Sequence, residues 1–176
     1  LAQPLLDLPA YDRWALVAPW SFDLNYINNS FIYSLSNQLG RWAPRTRLVE
    51  VFFNSGGDAL EAADYAGIYV TTDRIEVAPG RVPVASLSPS NISGNALTGG
   101  YIIKIDPKDV DDIAWQTHAG FPNDGSSSII LVAPKADEVV PAQLNYIKDY
   151  VQSMENALLA DRATGFGQRS YLDYID

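Results

Sequence analysis

Apolar residues recur every four positions through "INNSFIYSLSNQLG". Ile27, Phe31, Leu35 and Leu39 form one stripe, with Asn29, Ser30 and Asn37 on the opposite side. That spacing predicts an amphipathic helix, and Gly40 suits the left-handed residue that ends one. A longer stripe of Leu144, Ile147, Val151, Met154 and Leu158 alternates spacings of three and four. It predicts a second helix of about four turns, with Pro141 in its first turn. Between the helices the period changes. "TRLVEVFFN" and "AGIYVTTDRI" are rich in β-branched and aromatic residues and are joined by "SGGDALEAADY", which predicts a hairpin with a long connection. "YIIKID" and "IILVAP" predict two further strands and "RWALVAPW" a short one closed by Pro19. "RVPVASL" reads as an edge strand, because Pro83 cannot donate to a ladder. "QPLLDLPAYDR" and "SPSNISGNALTGG" read as loops, and "PKDVDDIAWQTHAGFPNDGSSS" as irregular chain.

A helix, several antiparallel strands and a long helix make an α+β layer: a mainly antiparallel sheet with packed helices, not the alternating order of a parallel sheet. The 176 residues, 47% of them hydrophobic, suffice for one core, so residues 1–176 are expected to form a single domain or a fragment of one. The chain starts at Leu1 without a methionine, and an apolar pattern begins in "YLDYID" only to stop at Asp176, so a piece of a longer protein is expected. No apolar run approaches the roughly 20 residues of a membrane span. A net charge of −9 opposes broad affinity for nucleic acid or an anionic membrane. With no cysteine, neither a disulfide nor a thiolate nucleophile is available.

The candidate chemistry is sparse. His118 is the only histidine and has no cysteine to join it, so neither a zinc site nor a Ser/His/Asp triad is expected. Asp106, Asp109, Asp111 and Asp112 in "DPKDVDD" offer oxygen ligands but lack the glycine and distal glutamate of a calcium loop, and read as a solvated acidic loop. The pairs "SGGD" and "TGGY" match no phosphate-binding spacing and are explained as turns. Lys104 is different. The period of two puts Tyr101, Ile103 and Ile105 on one face of its strand and Ile102, Lys104 and Asp106 on the other. A lysine on such a strand must snorkel, pair with a carboxylate or meet an anion. Glu50, flanked by aliphatic residues in "RLVEVFF", is a candidate partner, and the pair reads as a structural ion pair or a phosphate clamp.

Four stretches carry a resemblance over nearly the whole chain: "WALVAPWSFDLNYINNSFIYSLSNQLGRWAPRTRLVEVFFN", "YAGIYVTTDRIEVAPGRVPV", "LTGGYIIKID" and "LVAPKADEVVPAQLNYIKDYVQSMENALLA". In this order they resemble the spore coat protein H (CotH) family of atypical protein kinases. The resemblance implies the N-terminal, nucleotide-facing part of a kinase-like fold, in a protein that transfers phosphate from ATP to protein hydroxyls with Mg2+. It makes Lys104 a candidate for neutralising nucleotide phosphates, with Glu50 steadying it. Arg74 becomes a second cation candidate, since Asp73-Arg74 matches a Glu-Lys pair common in the family. Where relatives read D-K-[ST]-L-x-R-N, this chain has Asp23, Leu24, Asn25, Tyr26, Ile27, Asn28 and Asn29, so both cations are gone. The family's catalytic and metal-binding aspartates fall beyond the segment matching "YLDYID". The piece alone is therefore expected to be inactive, with no catalytic or metal-binding residue of its own and no cofactor needed to fold. The expected partners are a protein substrate, coat or surface proteins and a missing C-terminal lobe. The expected location is extracellular, at a cell surface or in a spore coat. The alternative reading is a non-catalytic surface or spore-coat module that keeps the fold and only binds partners.

Overall fold

The computed structural model describes residues 2–18, 21, 23–165, 167 and 170–174, and its chain divides into two compact units, Leu1–Pro83 and Val84–Asp176. The first opens with β1 (Gln3–Leu5) and β2 (Leu8–Tyr11), an antiparallel hairpin inside the segment that reads as a loop. Its turn is made by Leu6 and Asp7, both at positive φ (51° and 61°). Two-residue hairpin turns require that geometry, but they usually announce it with Asn-Gly or Asp-Gly. Leu-Asp carries no such signal, which is why the hairpin is missed.

Next come β3 (Trp14–Val17), α1 (Asn28–Gln38), β4 (Thr46–Phe52), a 3-10 turn (Ala62–Asp64) and β5 (Tyr65–Asp73). The strands form an antiparallel sheet ordered β3-β5-β4, so the expected hairpin of β4 and β5 exists. Pro19, expected to close β3, lies outside the described residues. Asn54 shapes the long connection. Its Oδ1 accepts from the backbone N–H groups of Gly56 and Gly57 at 2.9 Å each, and its Nδ2 donates to Asp64 at 3.2 Å.

α1 ends as expected, with Gly40 at φ +79°. Its orientation is the surprise. Asn37, on the polar side, donates to the Ala43 carbonyl and accepts from the Ala43 N–H, tying the helix to the chain that leads into β4. Ile27, Phe31, Leu35 and Leu39 are all exposed.

The second unit contains α2 (Gly94–Leu97), β6 (Ile102–Pro107), β7 (Ala114–Trp115), β8 (Ser127–Ala133), α3 (Pro141–Ala163) and a 3-10 turn (Ser170–Tyr174). Its sheet is antiparallel, ordered β6-β8-β7. Here the helix faces inward. Ile147 and Val151 of α3 pack with Ile129 and Leu131 of β8, flanked by Tyr101, Ile113, Trp115, Val139 and Leu144. Gln143 is fully buried because its amide is used twice over. Oε1 accepts from the Val140 N–H, while Nε2 donates to the carbonyls of Ser88 (2.7 Å) and Asn91 (3.2 Å), clamping that loop to the start of α3. The second glycine of "TGGY" also gains a reason. Gly100 has φ +91°, and a Cβ there would run into the Ala85 carbonyl oxygen.

The class is α+β, with antiparallel sheets and helices among the described residues. Three further local expectations are corrected. "RVPVASL" forms only an isolated bridge, Val77 to Val82, because Pro83 offers no N–H and the boundary between the units follows it. The two polar loops each hold a short element, α2 and β7, too brief to leave a period in the sequence.

Candidate functional site

Lys104 lies on β6 opposite Ile130, on the sheet face away from Ile129 and Leu131, as the alternation predicts. Its ammonium is 3.0 Å from Asp106 Oδ2, with the Lys104 side chain 40% exposed. The hydrogen bond it donates to Asp106, with the charges of Asp106, Asp112 and Asp109, holds the ammonium above the ordinary lysine range. The hollow beside it, about 400 Å³, also presents Asp111, Asp112, Lys135 and Asp137. Carboxylates outnumber cations here, a donor set that repels a polyphosphate unless Lys104 leaves Asp106. Glu50 sits exposed on β4 and accepts from the Tyr65 hydroxyl at 3.4 Å. Each residue thus has a partner close in its own unit.

Arg74 follows the last residue of β5, and its half-exposed guanidinium reaches Glu76 at 3.8 Å. It borders a cleft of about 320 Å³ within the first unit. The cleft lies between the polar side of α1, which supplies Asn29, Ser30 and Tyr33, and the sheet, which supplies Ala15, Val17, Thr46, Val70 and Thr72. The register explains the shared wall. Thr46 and Ala15 both pair with Thr72, and Val17 pairs with Val70, so their side chains emerge on one face. Asp23 and Asp73 complete the lining.

Both carboxylates are already engaged. Asp23, expected to begin a motif now stripped of its cations, accepts from the Asn28 N–H (2.6 Å) and the Asn25 N–H (3.3 Å). It anchors the start of α1, where free N–H groups and the helix dipole favour an anion. Asp73, 2% exposed, accepts from Arg45 twice, from the backbone N–H at 3.0 Å and from Nε at 2.7 Å. Burial lowers the Arg45 pKa, but the bonds to Asp73 and Tyr11 outweigh it and hold the group above the usual arginine value. The other Asp73 oxygen is buried without a partner.

Behind Asp73 stands a network that sequence reasoning missed. Arg81, 1% exposed, bonds Glu76 and the Arg13 carbonyl and lies 4.2 Å over the Tyr11 ring. Arg45 bonds the Tyr11 hydroxyl (3.2 Å) and the Gly80 carbonyl (2.9 Å). These partners are up to 68 positions apart, so no local pattern marks them.

His118 lies in a loop fastened to α3. Its N–H donates to Gln152, while Thr117 and the Ala119 N–H donate to Glu155. Burial raises the Glu155 pKa, but the bonds from Thr117, Gln152 and Ala119 outweigh it and hold the carboxyl below the glutamate range. In "DPKDVDD", Asp112 accepts from the Asp109 N–H at 2.9 Å, the closure of a turn. Among the described residues, no group of three or more His, Cys, Asp or Glu side chains is placed to hold a metal ion, and no helix is long and apolar enough to cross a membrane.

Tested against ATP, the two places differ. The cleft fits: its walls are largely apolar, as a planar ring requires, Asp73 is paired with Arg45, Asp23 is bonded to the amides that begin α1, and Arg74, loosely paired with Glu76, stands at its edge. The Lys104 hollow, as it stands, does not. A model of the family described as CotH kinase protein matches residues 2–175. No curated protein and no solved structure shows a significant match to the chain.

Proposed function

The chain belongs to the CotH kinase protein family, and we propose that it forms the N-terminal, nucleotide-facing part of a kinase that phosphorylates protein hydroxyls. The observation that carries this reading is the cleft bordered by Arg74 within a chain that the family spans almost end to end. Bound ATP would supply the phosphoryl group, with Mg2+ neutralising its charge. The residues of this chain would do the binding and orienting. Val17 and Val70 would cover the ring and exclude water, Thr46 and Thr72 would offer hydroxyls, and Arg74 would turn toward phosphate. Lys104, in the other unit, would meet an anion of its own only after releasing Asp106, and Glu50 would act by holding its neighbours in place. The catalytic and metal-binding carboxylates would come from outside these residues.

Titration calorimetry of the chain with ATP tests this. Weak binding is expected, nearly indifferent to magnesium, and Arg74→Ala should lower the affinity by about ten-fold, the loss of one charge-assisted contact. An affinity unmoved by Arg74→Ala, or moved only by Lys104→Ala, sinks the assignment of the cleft. A second reading, a surface or spore-coat module that binds partners without catalysis, is favoured by the Lys104–Asp106 pair, which already answers the lysine's charge. The family's name, taken from a spore coat protein, supports a location at a cell surface or in a coat.

A further inference from the structure

Beside the cleft, a groove of about 630 Å³ lies between α1 and the chain entering β4. Ser30, Ser34, Asn37 and Gln38 form its helical wall, and Pro44, Arg45, Thr46 and Arg47 the other. Ser30, Ser34 and Gln38 follow one another at intervals of four along α1, which makes that wall about 12 Å long. Asn37 ties the two walls together. Its amide donates to the carbonyls of Tyr33 and Ala43, at 3.0 Å each, and accepts from the Ala43 N–H at 3.1 Å. Ser30, Pro44 and Thr46 line the cleft as well, so the groove opens into it.

The groove offers donors without acceptors. In a chain of net charge −9, no carboxylate is among the described residues that line it. Arg45 is committed to Asp73, Tyr11 and Gly80, but Arg47 is not. It lies on β4, an edge strand, and its Nη1 donates to the Thr46 carbonyl at 2.9 Å. Arg13, Arg45, Arg74 and Arg81 each reach a carboxylate, whereas Arg47 pairs with none among the described residues. Most of the five N–H donors of its guanidinium are therefore available. The Ser34 hydroxyl accepts from Gln38 Nε2 at 3.1 Å, which leaves its own proton to donate. The hydroxyls of Ser30 and Thr46 have no partner among the described residues. A single carboxylate would be satisfied by the Arg47 fork alone. Several hydroxyls spread around a guanidinium suit an anion whose oxygens point in more directions, as the three acceptor oxygens of a phosphoryl group do.

We propose that this groove binds a phosphoryl group, with Arg47 supplying the charge and the hydroxyls of Ser30, Ser34 and Thr46 orienting its oxygens. The groove stands independently of what the cleft holds. Two sources share this chemistry: the phosphates of a nucleotide in the adjoining cleft, and a free polyphosphate.

Titration calorimetry with inorganic tripolyphosphate, which has no ring to place in the cleft, tests the site, with acetate as the control for a lone carboxylate. Tripolyphosphate should bind and weaken as salt rises. Arg47→Ala should lower its affinity about ten-fold, Arg47→Lys less because the charge is kept without the fork, and Ser34→Ala about three-fold. Arg47 is exposed, so circular dichroism should show the fold retained in its variants. ATP and adenosine separate the sources. A loss of ATP affinity in Arg47→Ala, with adenosine unmoved, places nucleotide phosphates in the groove, and a loss confined to tripolyphosphate assigns it to a free polyphosphate. No binding of tripolyphosphate, binding unmoved by Arg47→Ala, or acetate bound as tightly would each overturn the proposal, whatever Arg74→Ala does to ATP.

Discussion

The two units use a helix of similar pattern in opposite senses. α3 turns Ile147 and Val151 onto β8 and builds an apolar core with Ile129 and Leu131. α1 turns Asn29, Ser30 and Tyr33 toward its sheet and leaves Phe31 and Leu39 outside. The first unit compensates with charge: Asp73 on Arg45, and Arg81 on Glu76 under the Tyr11 ring. Amphipathicity thus predicts the existence of a helix but not the direction of its apolar side. A stripe faces inward only where the neighbouring sheet has an apolar surface to receive it. β8 turns the buried pair Ile129 and Leu131 toward α3, whereas the sheet face under α1 mixes Val70 with Thr46 and Thr72.

If the first unit depends on buried charge, removing one member should do the greatest damage. Glu76→Ala leaves the Arg81 guanidinium buried beside only a carbonyl and a ring, and should cost about 3–5 kcal/mol in denaturant unfolding. The pair Glu76→Leu with Arg81→Met should recover much of that loss, since no uncompensated charge remains. A small effect of the single change would mean that water reaches Arg81, and the contrast between the units would fail.

The corresponding test of the second unit is a cavity. Ile147→Ala should cost about 2–4 kcal/mol, while Phe31→Ala, equally drastic on paper, should shift monomer stability by no more than about 0.5 kcal/mol. Similar losses for both would show that the α1 face is covered within the monomer.

The smallest effect concerns pH. Asp124 leads into β8 and accepts from the N–H groups of Ser127 (2.7 Å) and Ser126 (2.9 Å); the Ser127 hydroxyl first, and then these two backbone bonds, lower its pKa to about 2. A carboxyl depressed in the folded state supports the fold above its unfolded value of about 4, and that support fades as pH falls from about 4 to about 2. The Asp124 carboxyl is fully exposed, so the consequence should be local. The amide signals of Ser126 and Ser127 should titrate with a midpoint near 2 and lose that transition in Asp124→Asn. A midpoint near 4 would mean that the turn does not hold.

Much of the architecture is legible in short windows. The period of four through Leu39 and Gly40, Pro141 before the second stripe, and the alternation of "YIIKID" each specify an element from residues within a few positions, because backbone hydrogen bonding and side-chain direction are local. The β1–β2 hairpin was illegible because Leu6-Asp7 takes a left-handed turn without its usual residues. The site was legible only in part. Arg74 and Asp73 could be singled out through family likeness, yet the Asp73–Arg45 bond spans 28 positions and the Arg81–Arg13 contact 68.

From the chain alone come the class, most strands, both long helices and kinship with CotH kinases, since each is written in contiguous residues. Tertiary structure decided the rest: which side of α1 faces the sheet, that Asp23 anchors the start of α1, that Asp106 answers Lys104, and that Arg81 is buried. Each depends on what stands across a few ångströms of space, where burial and the screening of charge are set by neighbours distant in sequence.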